Sequence, residues 1–135
     1  MSRRIVLWRH GRTEWNATGR FQGQTDIDLD EIGRAQAWQS ARRLAALEPD
    51  LLISSDLRRT RDTMAALAEI TGKPLQLDER LRETFAGEWQ GLTGAEIASR
   101  YPEEYKAWRA GDPLLKVGGG ATRQAGSTPC ASSQL

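Results

Sequence analysis

The stretch Ile5-Val6-Leu7-Trp8-Arg9-His10-Gly11-Arg12-Thr13-Glu14-Trp15-Asn16 decides how the rest of the chain is read. Its first four residues are apolar, branched or aromatic, and bounded by charge, which predicts a buried strand over about residues 3–8. A strand that ends in Arg-His-Gly delivers an imidazole and a guanidinium to the carboxyl end of a sheet, where open α/β sheets bind ligands. His10 is the only histidine in the chain. A lone histidine is by itself more often structural than catalytic, but its neighbours here are chemically specific. Gly11 lets the backbone approach closely, Arg9 offers a planar donor fork suited to phosphate, and Thr13 and Asn16 add neutral hydrogen bonds. Together they describe an oxyanion-binding cup with a nucleophile inside it.

Composition bounds the function. With 135 residues the chain is one domain by length, and its net charge of +1 gives no reason to expect nucleic acid or an anionic membrane as the main partner. One cysteine, Cys130, forms no intrachain disulfide, and with a single histidine it makes no zinc site of ordinary ligand count. Such cysteine usage favours a cytoplasmic location. Nothing near residue 1 resembles a signal peptide, and no apolar stretch is long enough to span a bilayer.

Further along, residues 17–30 have glycines, polar residues and no sustained period. They read as a loop over the top of the sheet, with Arg20, Phe21, Gln22 and Gly23 as candidate ligand contacts. Asp30 reads as the N-cap of a helix to about Leu47, with Ile32, Ala35, Leu44 and Ala45 on or near its apolar face. Gly33 costs that helix about 1 kcal/mol relative to alanine, which implies a close neighbour. A second strand is expected over 50–55, then a helix over about 57–71 capped by Asp56 and stopped by Gly72, then a short strand at 74–77. Strands joined by helical crossovers predict a parallel sheet. Thr93-Gly94-Ala95-Glu96 has the form of a capping box, and Pro102 suits the first turn of one more helix. From Lys116 the composition turns small and polar, and 116–135 reads as a disordered tail beyond a domain of 1–115.

For a phosphate site, a second arginine is expected from the loop after the second strand, where Arg58, Arg59 and Arg61 stand. A carboxylic acid is expected among Asp78, Glu79, Glu83 and Glu88. The residue pattern alone leaves both choices open.

A longer pattern narrows them. Arg9-His10-Gly11, Thr13, Trp15-Asn16, Gly19-Arg20, Gln22-Gly23, Asp26, Leu29, Gly33 and Gln36-Ala37 resemble, in order and spacing, the histidine phosphatase superfamily, which includes the phosphoglycerate mutases. Ser54-Ser55-Asp56-Leu57-Arg58-Arg59, Leu81-Arg82-Glu83-Thr84 and Trp89-Gln90-Gly91-Leu92-Thr93 are similar to its actinobacterial glucosyl-3-phosphoglycerate phosphatase type. The resemblance implies a three-layer α/β sandwich with a mostly parallel sheet. It implies phosphomonoester hydrolysis through a phosphohistidine on His10, with Glu83 as general acid and base. Arg9, Asn16, Gln22, Gly23 and Arg59 would bind substrate, with no metal and no cofactor. The expected partner is a small phosphorylated metabolite, and a homodimer is the assembly considered. Arg12 stands where many relatives have glutamate or glutamine, and would add positive charge at the mouth of the site.

The resemblance runs from about Arg3 to Asp112 and then fails. It implies a second catalytic histidine in a late Ser/Ala-His-Gly motif, and this sequence has none. The expectation is therefore a family member incomplete at the C-terminus, truncated or frameshifted, with impaired activity. The alternatives are a phosphoglycerate mutase, which keeps and returns the phosphoryl group, and an inactive phosphate-binding remnant.

Overall fold

Directly after Gly11 the chain coils. Thr13 Oγ1 accepts the Asn16 amide at 3.1 Å while Asn16 Oδ1 accepts the Thr13 amide at 3.0 Å. This reciprocal cap starts a one-turn helix, α1 (Glu14–Ala17), which ends where the expected loop of 17–30 begins. The computed structural model describes residues 3–122. Asp30 then caps α2 (Glu31–Ala45), its Oδ1 accepting the Gly33 amide at 2.7 Å.

The buried line of α2 is Gly33, Ala37 and Ala41, four residues apart. The expected face is displaced from it: Ile32 is 49% exposed, and only Leu44 and Ala45 of that set pack on the core. Small residues face inward because α3 (Arg58–Thr71) lies close and presents Ala66 and Leu67 to Ala37 and Ala41.

That helix is the crossover between two parallel strands, β1 (Leu52–Ser54) and β2 (Leu75–Leu77), with Leu52 opposite Leu75 and Ser54 opposite Leu77. The α/β architecture with parallel pairing is as expected. Gly72 ends α3 at φ 71°, its amide reaching the Ala68 carbonyl at 2.9 Å. The start of α3 differs from the expectation. Asp56 is drawn away by the guanidinium of Arg82, whose Nε lies 2.6 Å from its Oδ1. Asp26, from a distant loop, accepts the Arg58 amide at 2.7 Å instead.

The predicted first strand is a correction. Residues 3–8 join no ladder among the described residues, and Ile5 is 86% exposed, with Val6 and Leu7 more than half exposed. β1 pairs only with β2, so nothing covers the run, and Trp8 alone packs against the first core.

A second core gathers Ala86, Trp89, Ile97 and Val117. Around it stand α4 (Gly94–Arg100), capped by Thr93, and α5 (Pro102–Arg109), with Pro102 in its first turn. Phe21, Tyr101, Tyr105 and Trp108 surround Trp89 with ring centroids about 5–6.4 Å apart, mostly tilted or edge-on. The start of the expected disordered tail also belongs here. Val117 and Gly118 are buried, Lys116 bridges Thr122, and the Ala121 amide donates to the Phe85 carbonyl at 3.0 Å. A Cβ at Gly118 would lie 2.0 Å from the Ala86 carbonyl oxygen. Lack of side chain is what lets this segment pack, so small composition here means close backbone contact and not disorder. The fold therefore runs past 115, to 122 at least; the remainder of the expected tail, 123–135, lies outside the described residues. No described helix is long and apolar enough to cross a membrane.

The close neighbour implied by Gly33 is the loop after His10. A Cβ on Gly33 would lie 2.0 Å from the Arg12 carbonyl oxygen, and one on Gly11 would lie 2.3 Å from the Gly33 carbonyl oxygen. Gly33→Ala should therefore lower the urea midpoint, because an overpacking cost of about 1–3 kcal/mol outweighs about 1 kcal/mol of helix propensity. A raised midpoint would show that the loop is free to move away.

Candidate active site

Arg59 enters the protein interior from the first turn of α3 and is only 1% exposed. A buried guanidinium needs its donors satisfied. Nη2 donates to the Gly23 carbonyl at 2.6 Å and Nη1 to the Thr25 carbonyl at 2.8 Å. Nε is buried with no hydrogen-bond partner among the described residues, which leaves its N–H open to an anion. These contacts face a cavity of about 570 Å³ lined by Arg9, His10, Gln22, Arg59 and Glu83, among others.

His10 Nδ1 lies 2.6 Å from its neighbour Gly11's carbonyl oxygen. A carbonyl only accepts, so the contact keeps the ring proton on Nδ1 and leaves the Nε2 lone pair available. Burial lowers the imidazole pKa to about 4; the charges of Arg59 and Arg9 push the same way, and the Gly11 carbonyl opposes them. The ring is accordingly neutral and nucleophilic at neutral pH. Glu83 moves oppositely. Burial raises its pKa above the ordinary carboxyl value, against Arg59, the Thr84 amide and Arg9. A carboxyl that holds its proton longer, in the same cavity as a neutral imidazole, is suited to proton donation.

Gly11 is itself held, its amide donating to Thr63 Oγ1 at 3.0 Å. Gln22 is buried, its Oε1 accepting from Thr13 Oγ1 at 2.7 Å, and Asn16 Oδ1 accepts the Thr13 amide, so the oxygens of both side-chain amides are engaged in residues that line the cavity. Gly23 sits at φ +54°, and a Cβ there would lie 2.3 Å from Gln90 Oε1. Arg9 is exposed and makes no hydrogen bond or ion pair among the described residues. The cavity thus gathers His10, Glu83, Arg9, Asn16, Gln22, Gly23 and Arg59.

Two further candidates, Arg20 and Phe21, also line the cavity but are held by partners of their own. Arg20 Nη1 donates to the Gly91 carbonyl at 2.7 Å and lies 3.4 Å from Glu96, and Phe21 belongs to the aromatic cluster. Arg12 adds no free charge at the mouth, because its Nε pairs with Asp30 Oδ2 at 2.6 Å. Arg58 lies on the outer face, 3.5 Å from Asp26.

Sequence reasoning missed Thr63 and Gln90. Gln90 Oε1 accepts the amides of Gln24 and Ala86 at 3.0 and 3.2 Å, and its Nε2 donates to Thr25 Oγ1 at 2.9 Å, fixing the loop that holds Arg59. The available signals were its place between Trp89 and Gly91, and the position of Thr63 one helical turn after Arg59.

The family pattern described as the histidine phosphatase superfamily (branch 1) matches residues 5–127. The glucosyl-3-phosphoglycerate phosphatase of Mycolicibacterium vanbaalenii is 50% identical over 107 residues, 79% of this chain and 48% of that protein. The Mycobacterium tuberculosis protein of the same name is 47% identical over 122 residues, 90% of this chain and 54% of that protein. The solved structure of mycobacterial glucosyl-3-phosphoglycerate phosphatase with VO3 superposes with a TM-score of 0.83 at 43% identity, covering 90% of this chain and 60% of that one. The chain spans about half the length of the curated relatives it matches.

With one histidine in the chain, its titration is directly visible. The His10 Cε1 resonance should stay flat from pH 8 to about 5 and move only near pH 4. Because the folded pKa is depressed, the stability this ring contributes is complete above its ordinary value of 6.5 and is lost as pH falls from there toward 4. A resonance titrating near 6.5 would contradict a buried, neutral imidazole.

Proposed function

The chain belongs to the histidine phosphatase superfamily (branch 1), and from that premise we propose that it carries phosphomonoester hydrolysis through a phosphohistidine on His10. The observation that carries the reading is the pairing, in one cavity, of a neutral imidazole with a carboxyl of raised pKa beside a buried arginine.

Phosphoryl transfer needs positioning and charge stabilisation around the transferred group. Arg59 Nε, Arg9 and the amides of Asn16 and Gln22 would take the phosphoryl oxygens. His10 Nε2 attacks phosphorus, the P–O ester bond breaks, and protonated Glu83 gives its proton to the departing oxygen. Water then enters; Glu83 takes one of its protons as its oxygen attacks phosphorus, and the N–P bond breaks. Inorganic phosphate leaves and both residues return to their starting states. No step calls on a metal ion or a cofactor. The substrate would be a small phosphorylated metabolite of the cytoplasm, and the relatives make glucosyl-3-phosphoglycerate the first compound to assay.

Incubation with para-nitrophenyl phosphate and an acid-free quench should trap an acid-labile, base-stable phosphoprotein, and His10→Ala should abolish it. Label persisting in that variant would remove His10 from the mechanism. A phosphoenzyme stable to water but discharged by phosphoglycerate would favour the mutase instead.

The resemblance also implies a second phosphoryl-contacting histidine, and the 135-residue chain has none besides His10. Loss of one preorganised donor costs about 10²–10³ in rate. Steady-state turnover by the 135-residue polypeptide should therefore fall at least ~10²-fold below that of a full-length relative assayed beside it. Equal rates would show that His10 works without such a partner.

A further inference from the structure

Thr63 is buried at 3% exposure, and its hydroxyl stands between two parts of the site. Oγ1 donates to the Arg59 carbonyl at 2.6 Å, one helical turn back, and accepts the Gly11 amide at 3.0 Å from 52 residues away in sequence. A threonine bonded back to its own helix is common and mostly bland. Thr71 does this near the end of α3, bonding the Leu67 carbonyl at 2.8 Å, but its only other bond among the described residues is a 3.3 Å contact with the Lys73 amide two residues on. The proton of Thr63 is likewise committed, to Arg59, so its lone pairs can only accept, and the difference lies in what they accept. What they accept is the backbone of the residue that holds the imidazole.

Gly11 is pinned on both sides by this arrangement. Its amide is on Thr63 and its carbonyl is on His10 Nδ1 at 2.6 Å. Glycine has the widest backbone freedom of any residue, and the loss of one anchor would free the peptide that orients the ring. Two bonds therefore run in series from the backbone of Arg59 to Gly11, and a third reaches the His10 imidazole.

We propose that Thr63 is a positioning residue for phosphoryl transfer. It fixes the angle and distance at which His10 Nε2 meets an anion held by Arg59, without touching that anion. This rests on the reading of His10 as nucleophile.

The test compares Thr63→Val, which keeps the shape and loses the acceptor, with Thr63→Ser, which keeps the acceptor. In the 135-residue chain, Val should slow single-turnover phosphorylation of His10 by para-nitrophenyl phosphate about 10²-fold, the cost of a misplacement of about 1 Å. Affinity for vanadate, held by Arg59, should stay within about threefold in both variants. The ¹⁵N spectrum of the His10 ring should show a smaller Nδ1–H population in Val and a normal one in Ser. Phosphorylation unchanged in folded Thr63→Val overturns the proposal, as does Thr63→Ser slowed as much as Val. If Val does not fold, Ser decides alone: phosphorylation within about threefold of the parent supports the role, and a loss of tenfold or more refutes it. If the parent chain forms no phosphohistidine, the reading of His10 fails, and the ring tautomer alone then decides the role of Thr63.

Discussion

A guanidinium with 1% exposure sets the terms for everything around it. Arg59 is stable in the interior only because the chain from Gly23 to Thr25 turns its carbonyls inward to meet two of the nitrogens. The same loop brings Asp26 to the first amide of α3, so helix and loop hold each other. Burial lowers the arginine's own proton affinity, while the charges of Glu83 and Asp26 raise it. The consequences for the two titrating groups differ in kind. On His10, burial and positive charge act in the same direction and strip the proton. On Glu83 they act in opposite directions, and burial prevails. Burial thus drives the two pKa values apart, lowering that of His10 and raising that of Glu83, while the arginine's charge lowers both.

The two cores divide the labour. The first, between α2, α3 and β1, carries Trp8 and the loop of His10. The second, around Trp89, carries Phe21 and the segment after Thr84. What joins them is polar: the guanidinium of Arg59, the amide of Gln90, the Gln24 side chain on the Glu83 carbonyl at 3.2 Å, and the Asp56–Arg82 pair. The His10 loop thus packs with the first core and the segment just after Glu83 with the second, and hydrogen bonds connect the two. Such bonds fix orientation more than they add net stability.

Local patterns were legible in the sequence where local physics governs. The caps at Asp30 and Thr93, the stop at Gly72, Pro102 in the first turn and the parallel crossover follow from a few residues each. The gathering of His10, Arg59 and Glu83 was legible only through a long spaced pattern, since no short stretch distinguishes Glu83 from Glu79 or Glu88. Periodicity reports that Ile5, Val6 and Leu7 are apolar, but not whether a neighbour covers them. Asp56 satisfies every rule for a cap, yet a bidentate arginine outcompetes a helix amide for its carboxylate. Residues 116–122 have the composition of a flexible tail, and only the backbone contact with Ala86 reveals why glycines stand there. Thr63 carries no signal beyond its place in α3, because its partner is a backbone amide, and every residue except proline has one.

The contact between Gly11 and Gly33 has a bearing on sequence comparison. Each glycine is hemmed in by a main-chain oxygen, so no substitution at one position can make room for a side chain at the other. Side-chain contacts leave correlated changes among descendants, because one partner can shrink as the other grows. A contact made of two backbones has no such freedom. Methods that infer proximity from coupled substitutions would thus be blind to the junction that seats the His10 loop on its helix.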